Sequence, residues 1–191
     1  MSNSEFYINI KNKINIGADS TTSSKSLNIL AKEEAWIIRY YAAKNPNTSP
    51  HTLASLAKDE NWCVRSEVAT NINTPPKTLA LLAKDRDNNV RYCVAKNFHT
   101  SSETLAFLAK DESWEVRYQV AKNPNTPPES LTLLAKDMFS GTRRNVALNP
   151  NTLPETLDFL AKDENSDVRD EVWRNPNTPK ETLVLLAKDK N

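Results

Sequence analysis

The sequence predicts an all-helical solenoid of six and a half two-helix repeats, each 26 residues long. Three recurring positions carry this prediction. Asn45, Asn71, Asn97, Asn123, Asn149 and Asn175 follow one another at intervals of 26 residues. Arg39, Arg65, Arg91, Arg117, Arg143 and Arg169 keep the same interval. Leu-Ala-Lys followed by an acid occurs seven times, with its Leu at 30, 56, 82, 108, 134, 160 and 186. No insertion breaks the phase from Thr22 onward. Residues 22–191 therefore form the repeat region, and residues 1–21 fall outside it as an N-terminal cap or a disordered segment.

Each repeat divides into a first helix, A, and a second, B. Helix A is expected to start at Thr48, Thr74, Thr100, Thr126, Thr152 and Thr178, because a Thr hydroxyl accepts a hydrogen bond from an orphan N–H of the first turn. Glu103, Glu129, Glu155 and Glu181 stand three residues on, the spacing of a capping box. Pro75, Pro76, Pro127 and Pro128 sit in the first turn, where a missing N–H costs nothing. Helix A then runs to the Lys-acid pair. Helix B is expected over Trp62–Thr70 and its equivalents, ended by Asn71 and its equivalents in the left-handed conformation that Asn tolerates. Pro46, Pro124, Pro150 and Pro176 then prevent continuation.

On a helical wheel, Leu79, Leu82 and Ala83 share one side of an A helix, and Leu81 points away from them. The Leu81 column is Ile29, Ser55, Leu81, Phe107, Leu133, Phe159 and Leu185. Two apolar sides call for neighbours on both, which stacked repeats supply. The stack is expected to be a curved rod on the order of 60 Å long, at roughly 8–10 Å between packed helices.

Composition excludes several classes. The formal net charge of +1 gives no global attraction to nucleic acid or to an anionic membrane. No apolar run approaches the roughly 20 residues of a membrane span. The N-terminal residues lack the basic-then-apolar order of a secretory signal. Cys63 and Cys93 show no disulfide or zinc spacing, so two free thiols in a reducing cytoplasm are expected.

The run Asn123-Pro-Asn-Thr-Pro-Pro-Glu through Leu-Ala-Lys-Asp137 resembles the variant leucine-rich repeat of bacterial proteins. So does Asp111 followed by Val116-Arg117 and Val120-Ala121. More broadly the unit is similar to HEAT-like repeats, and the resemblance extends over residues 22–191. It implies a right-handed α-solenoid. Some variant leucine-rich repeat proteins alternate α-helices with 3₁₀ helices, so the resemblance admits a 3₁₀ helix in each pair. One member carries an N-terminal iron–sulfur domain, but this chain lacks the clustered cysteines that such a domain needs.

The Arg column falls towards the core on the B wheel, where a guanidinium must be paired. The acid six residues earlier recurs in phase, as Asp59 before Arg65 and Asp111 before Arg117. The HEAT resemblance implies an intra- and inter-repeat structural ladder of these groups. The Lys column, Lys32 to Lys188, is followed at every step by an acid and reads as a solvated face of little net charge. Trp36, Trp62 and Trp114 begin B helices, where they are expected to pack on the previous repeat with one edge wet. Trp173 replaces a small Ala and is expected to fill space near the end of the stack. His51 and His99 have no nucleophile or base in phase with them, and no Gly-rich phosphate loop is present.

The remaining B columns vary between copies, and variation marks positions the stack does not need. They are read as the outward face of B, lining a concave surface. The candidate partner-binding residues there are Tyr40, Tyr41, Tyr92, Tyr118, Gln119, Lys122 and Arg144, since Tyr with nearby cations is the composition of binding hot spots. In repeat five, Met138-Phe-Ser-Gly-Thr-Arg-Arg departs from the pattern, and Gly141 suggests a kink or contact point. The expected function is a non-catalytic, monomeric scaffold for a protein or peptide, with no cofactor, metal or membrane. The alternative is a nucleic-acid binder or an enzyme on a HEAT-like solenoid, such as a glycosylase or a bilin lyase.

Overall fold

The structure, a computed structural model, describes residues 3–189, and the side chains of residues 7–188. All its regular elements among these residues are helices, and they form two compact units, Met1–His99 and Thr100–Asn191. The first unit contains α1 (Asn3–Ala18), α2 (Ser24–Leu30), α3 (Trp36–Lys44), α4 (Pro50–Leu56), α5 (Trp62–Thr70), α6 (Pro76–Leu82) and α7 (Asn88–Lys96). The second contains α8 (Ser102–Leu108), α9 (Trp114–Lys122), α10 (Pro128–Leu134), α11 (Ser140–Leu148), α12 (Pro154–Leu160), α13 (Ser166–Arg174) and α14 (Lys180–Asp189). From α2 on, even numbers are A helices and odd numbers B helices. The B bounds match the sequence expectation at α5. A helices before α14 are only seven residues long, but they are α-helical, so α and 3₁₀ helices do not alternate.

The repeat Thr does not cap helix A as expected. The N-cap is one residue later. Ser23, Ser49 and Ser101 accept from the N–H groups of Ser26, Thr52 and Thr104 at 3.2, 3.2 and 3.3 Å. Pro75, Pro127 and Leu153 occupy that place in other copies, followed by Pro76, Pro128 and Pro154 at the first helical position. The Glu of the expected capping box is thus one position early and serves only as an acid in a positive first turn. The Thr itself is buried and faces the other way. Thr74, Thr126 and Thr152 donate at 2.5 Å to the carbonyls of Val68, Val120 and Val146. A buried helix end leaves carbonyls without intrahelical partners, so a donor is what the site requires.

The recurrent Asn is not left-handed either. Its φ values lie between −65° and −73° in α5, α7, α9, α11 and α13, with ψ near 130°. Its work is done by the side chain. Asn71 donates to the Ala43 and Asn45 carbonyls of the previous repeat at 2.7 and 2.9 Å, and its oxygen accepts from the Asn73 N–H at 2.9 Å. Asn149 does the same with Ala121, Asn123 and Asn151. At the start of the first unit, Asn45 donates to the carbonyls of Gly17 and Asp19. Helix α1 thus lies beside α3 as one B helix lies beside the next.

Each core lies between the A and B layers. Leu79 and Leu82 from α6 meet a layer of Val64, Val68 and Val90 from α5 and α7, all essentially inaccessible. Within each unit successive B helices pack along their length, whereas successive A helices do not. Single polar contacts join the A helices, such as Thr132 to Thr156 at 2.8 Å. The Leu81 column is therefore not buried between repeats as expected. Ile29, Leu81, Phe107, Leu133, Phe159 and Leu185 are 43–60% exposed. Thr142 stands in the buried Val column, and its hydroxyl has no hydrogen-bond partner.

The Arg ladder is structural, and of the expected intra- and inter-repeat contacts it is the inter-repeat one that supplies the carboxylate. The carboxylate comes from 20 residues later, not six earlier. Arg117 Nε lies 2.5 Å from Asp137 Oδ2 and Nη2 lies 3.3 Å from Oδ1. Arg65–Asp85 and Arg143–Asp163 repeat this fork. Six residues earlier it is the backbone carbonyl that accepts, as at Asp111 from Arg117 Nη1, 2.8 Å away. Each Asp also accepts from the N–H two residues on, as Asp137 does from Phe139. Burial opposes the charge on Asp85 and Asp163, but the Arg fork and this N–H outweigh it and hold both carboxyls below the usual range. Replacing Arg117 by Ala strands Asp137, which is 4% exposed. The expected cost is about 3 kcal/mol, at the lower end for a broken buried pair because Arg117 itself is partly wet. Chemical denaturation checks it, and an unchanged midpoint would contradict the ladder.

Candidate functional site

The B layer holds the predicted site residues, and side-by-side packing sets how much of each remains accessible. Only the third column is fully at the surface, at Lys44, Lys96, Lys122 and Arg174. The first two columns are not outward as expected. Tyr40, Tyr41, Tyr92 and Tyr118 are half-buried in the seams between B helices, and Gln119, Asn145 and Glu171 are buried. These positions vary in sequence because each seam solves its own polar pairing. Asn145 donates to the Tyr118 carbonyl across one seam. Across the next, Arg144 meets buried Glu171 at 2.6 and 3.0 Å, and Arg174 approaches the same carboxylate at 3.3 Å.

In the first unit the structure brings Tyr40 and Tyr41 together with Trp36. The Trp36 and Tyr40 rings meet edge to face with centroids 6.3 Å apart, and Tyr40 and Tyr41 do so at 5.3 Å. The Lys44 ammonium stands 5.8 Å from the Tyr40 centroid, within cation–π range. Tyr92 lies on α7, half-buried.

In the second unit Tyr118 joins a different aromatic group. Trp114 and Phe139 rings are 4.4 Å apart, and Phe139 and Tyr118 rings 6.2 Å apart. Trp114 thus packs towards the following repeat. Phe139 replaces the helix-capping Asn61, Asp87 and Asn165 of other copies. Gly141 makes room for it, since a Cβ there would fall 2.6 Å from the Phe139 ring. No break in α11 follows, so the irregular repeat makes no kink. Arg144, half-exposed and fixed by Glu171, adds its charge beside Tyr118. Sequence reasoning did not name Trp114 and Phe139 among the candidate binding residues. The loss of a cap residue together with a Gly two positions on was the available signal.

Other candidates do not assemble. His51 and His99 are exposed, and Trp173 is 43% exposed instead of filling the stack. Cys63 and Cys93 are free and half-buried, and burial pushes the Cys93 thiol up. Among the described residues, no group of His, Cys, Asp and Glu is placed to hold a metal ion, and no helix is long and apolar enough to cross a membrane. The lysines are exposed as expected. The acids that follow them, however, are turned inward onto the Arg ladder at Asp59, Asp85, Asp137 and Asp163.

Comparison with known proteins follows this geometry. The family model for the leucine rich repeat variant matches residues 114–137. A solved leucine-rich repeat variant, described as having a novel repetitive structural motif, superposes with a TM-score of 0.65 at 25% identity, covering 95% of this chain and 82% of that one. The X-ray structure of YibA from E. coli superposes at 0.55 with 17% identity, covering 90% and 73%. No curated protein matches the chain.

The Tyr40 hydroxyl offers a direct test of the first unit. Burial and the hydrogen bond to Glu67 push its pKa up to about 12. The folded state therefore holds this proton more tightly than the unfolded chain, whose Tyr titrates near 10. The associated stability is complete below pH 10 and is lost as pH rises through 12. Phenolate absorbance should show Tyr40 titrating late, and earlier in Glu67→Gln. An early, normal Tyr40 would contradict the seam geometry.

Proposed function

We propose that this chain, a stack of leucine-rich-repeat-variant helical repeats, is a non-catalytic scaffold that holds a protein or peptide against its B layer. The observation that carries this reading is the pair of aromatic shelves, one per unit, each flanked by a cation. Rigid, half-exposed aromatic rings offer contact area at little entropic cost, and a guanidinium already fixed by Glu171 loses little freedom on binding. The shared Asn, Arg and Asp are engaged in stacking and the shared Thr in closing its own B helix, which leaves them out of recognition. Two free thiols suit a reducing cytoplasm.

One observation favours a second reading. With Asp59 and Asp85 turned onto Arg39 and Arg65, the row Lys32, Lys58 and Lys84 presents positive charge that phosphates could follow. Such binding would weaken steeply with salt.

The test is capture of partners from native cells, followed by affinity measurement with variants. Tyr41→Ala and Tyr118→Ala should remain folded and lose on the order of 2 kcal/mol of affinity, about 30-fold. Lys84→Ala and Lys110→Ala on the A layer should change affinity little. Silent Tyr variants beside damaging Lys variants would move the site to the A layer. A salt-sensitive gel shift with nucleic acid would favour the second reading.

A further inference from the structure

The exposed face of the A helices in the second unit carries a pattern that stacking does not explain. Glu103, Phe107 and Lys110 lie along one line of α8 and its closing turn, since positions four and then three apart share a helical face. All three are exposed. The same acid–apolar–base order recurs 26, 52 and 78 residues on, across α10, α12 and α14, with Leu133, Phe159 and Leu185 at its centre. The face therefore carries three parallel rows, with acids along one edge, large apolar side chains along the middle and lysines along the other edge. Asp137 and Asp163, which follow two of these lysines, are held by Arg117 and Arg143. The first unit lacks this order. Lys25, His51 and Lys77 stand where the acids would be, and Ser55 interrupts the apolar row.

We propose that this face of the second unit binds a second copy of the same chain. The argument is charge complementarity. A two-fold axis running along the apolar row sets apolar row on apolar row, and it also lays the acidic edge of each copy over the lysine edge of the other. A two-fold axis across the rows would set acid on acid and is excluded by repulsion. The pattern thus selects one symmetric, isologous arrangement, with each repeat facing its own counterpart. A cleft of about 650 Å³ beside Phe159, lined in part by Met138 and Lys162, gives room for an incoming side chain. Four rungs at roughly 10 Å spacing and helix width make an area near 450 Å² per copy, small for a stable complex. The association is accordingly weak. This association differs from the monomer expected from the sequence.

Sedimentation equilibrium of the full chain over a wide concentration range tests this. The wild type should show a monomer–dimer equilibrium that weakens as salt is raised. A variant with Glu129→Lys, Glu155→Lys and Glu181→Lys should be monomeric throughout, as should one with Lys136→Glu, Lys162→Glu and Lys188→Glu. Circular dichroism checks that both remain folded. Mixed together, the two variants should form a heterodimer tighter than the wild-type homodimer. A wild type that stays monomeric at millimolar concentration would overturn the proposal. So would variants that dimerise like the wild type, or folded variants whose mixture does not associate.

Discussion

The structure depends on the buried asparagine that closes every B helix. A short helix pair has many backbone groups at its ends and little core of its own, so burying those ends without partners would cancel the gain from stacking. The Asn amide resolves this across repeats. Its nitrogen donates to two carbonyls of the preceding repeat while its oxygen fixes the loop that leads to the next A helix. Thr closes a further carbonyl within its own repeat. Neither residue can be exchanged for an apolar one of similar size without leaving buried groups unmet. The 26-residue interval is therefore the signature of hydrogen bonding as much as of hydrophobic pattern.

The Arg–Asp fork applies the same logic at the other end of the B helix. One guanidinium ties two loop carbonyls of its own repeat to a carboxylate of the next. Together the two ladders hold the B helices side by side at both ends. The A helices, joined by isolated side-chain contacts, leave clefts and an exposed apolar row between them. The two faces thus offer different surfaces, one of seams and aromatic shelves, the other of ridges and charged edges.

The helix pairs, the B-helix bounds and the structural role of the Arg column were legible in the sequence, because period and residue type suffice for them. The partners of the recurring polar residues were not. Thr, Asn and Asp each fit a local role at a helix end, and local roles were assigned to Thr and Asn. Their actual partners lie six, 26 and 28 residues away for Thr and Asn, and 20 residues away for Asp, which periodicity alone cannot distinguish from neighbours inside one unit. The helical wheel placed Phe107 and Leu133 opposite the core correctly, but it could not show that A helices stand apart. The same limit applies to the candidate site. Variation along the B columns reflected seam pairing at Asn145 and Glu171, and surface chemistry only where Tyr40, Tyr118 and Arg144 reach the edge of a seam.

The most direct measurement replaces Asn149 by Asp and follows unfolding by denaturant against pH. Shape and acceptor are kept, while both donated bonds are lost and a carboxylate faces the carbonyls of Ala121 and Asn123 in a site 4% exposed. The account predicts a loss of about 3–5 kcal/mol at neutral pH. Part of it should return as pH falls, because the protonated acid can donate one of the missing bonds. Asn151→Asp, at an exposed position, should cost much less. Equal, small losses at both positions, with no dependence on pH, would contradict the claim that the asparagine ladder holds the repeats together.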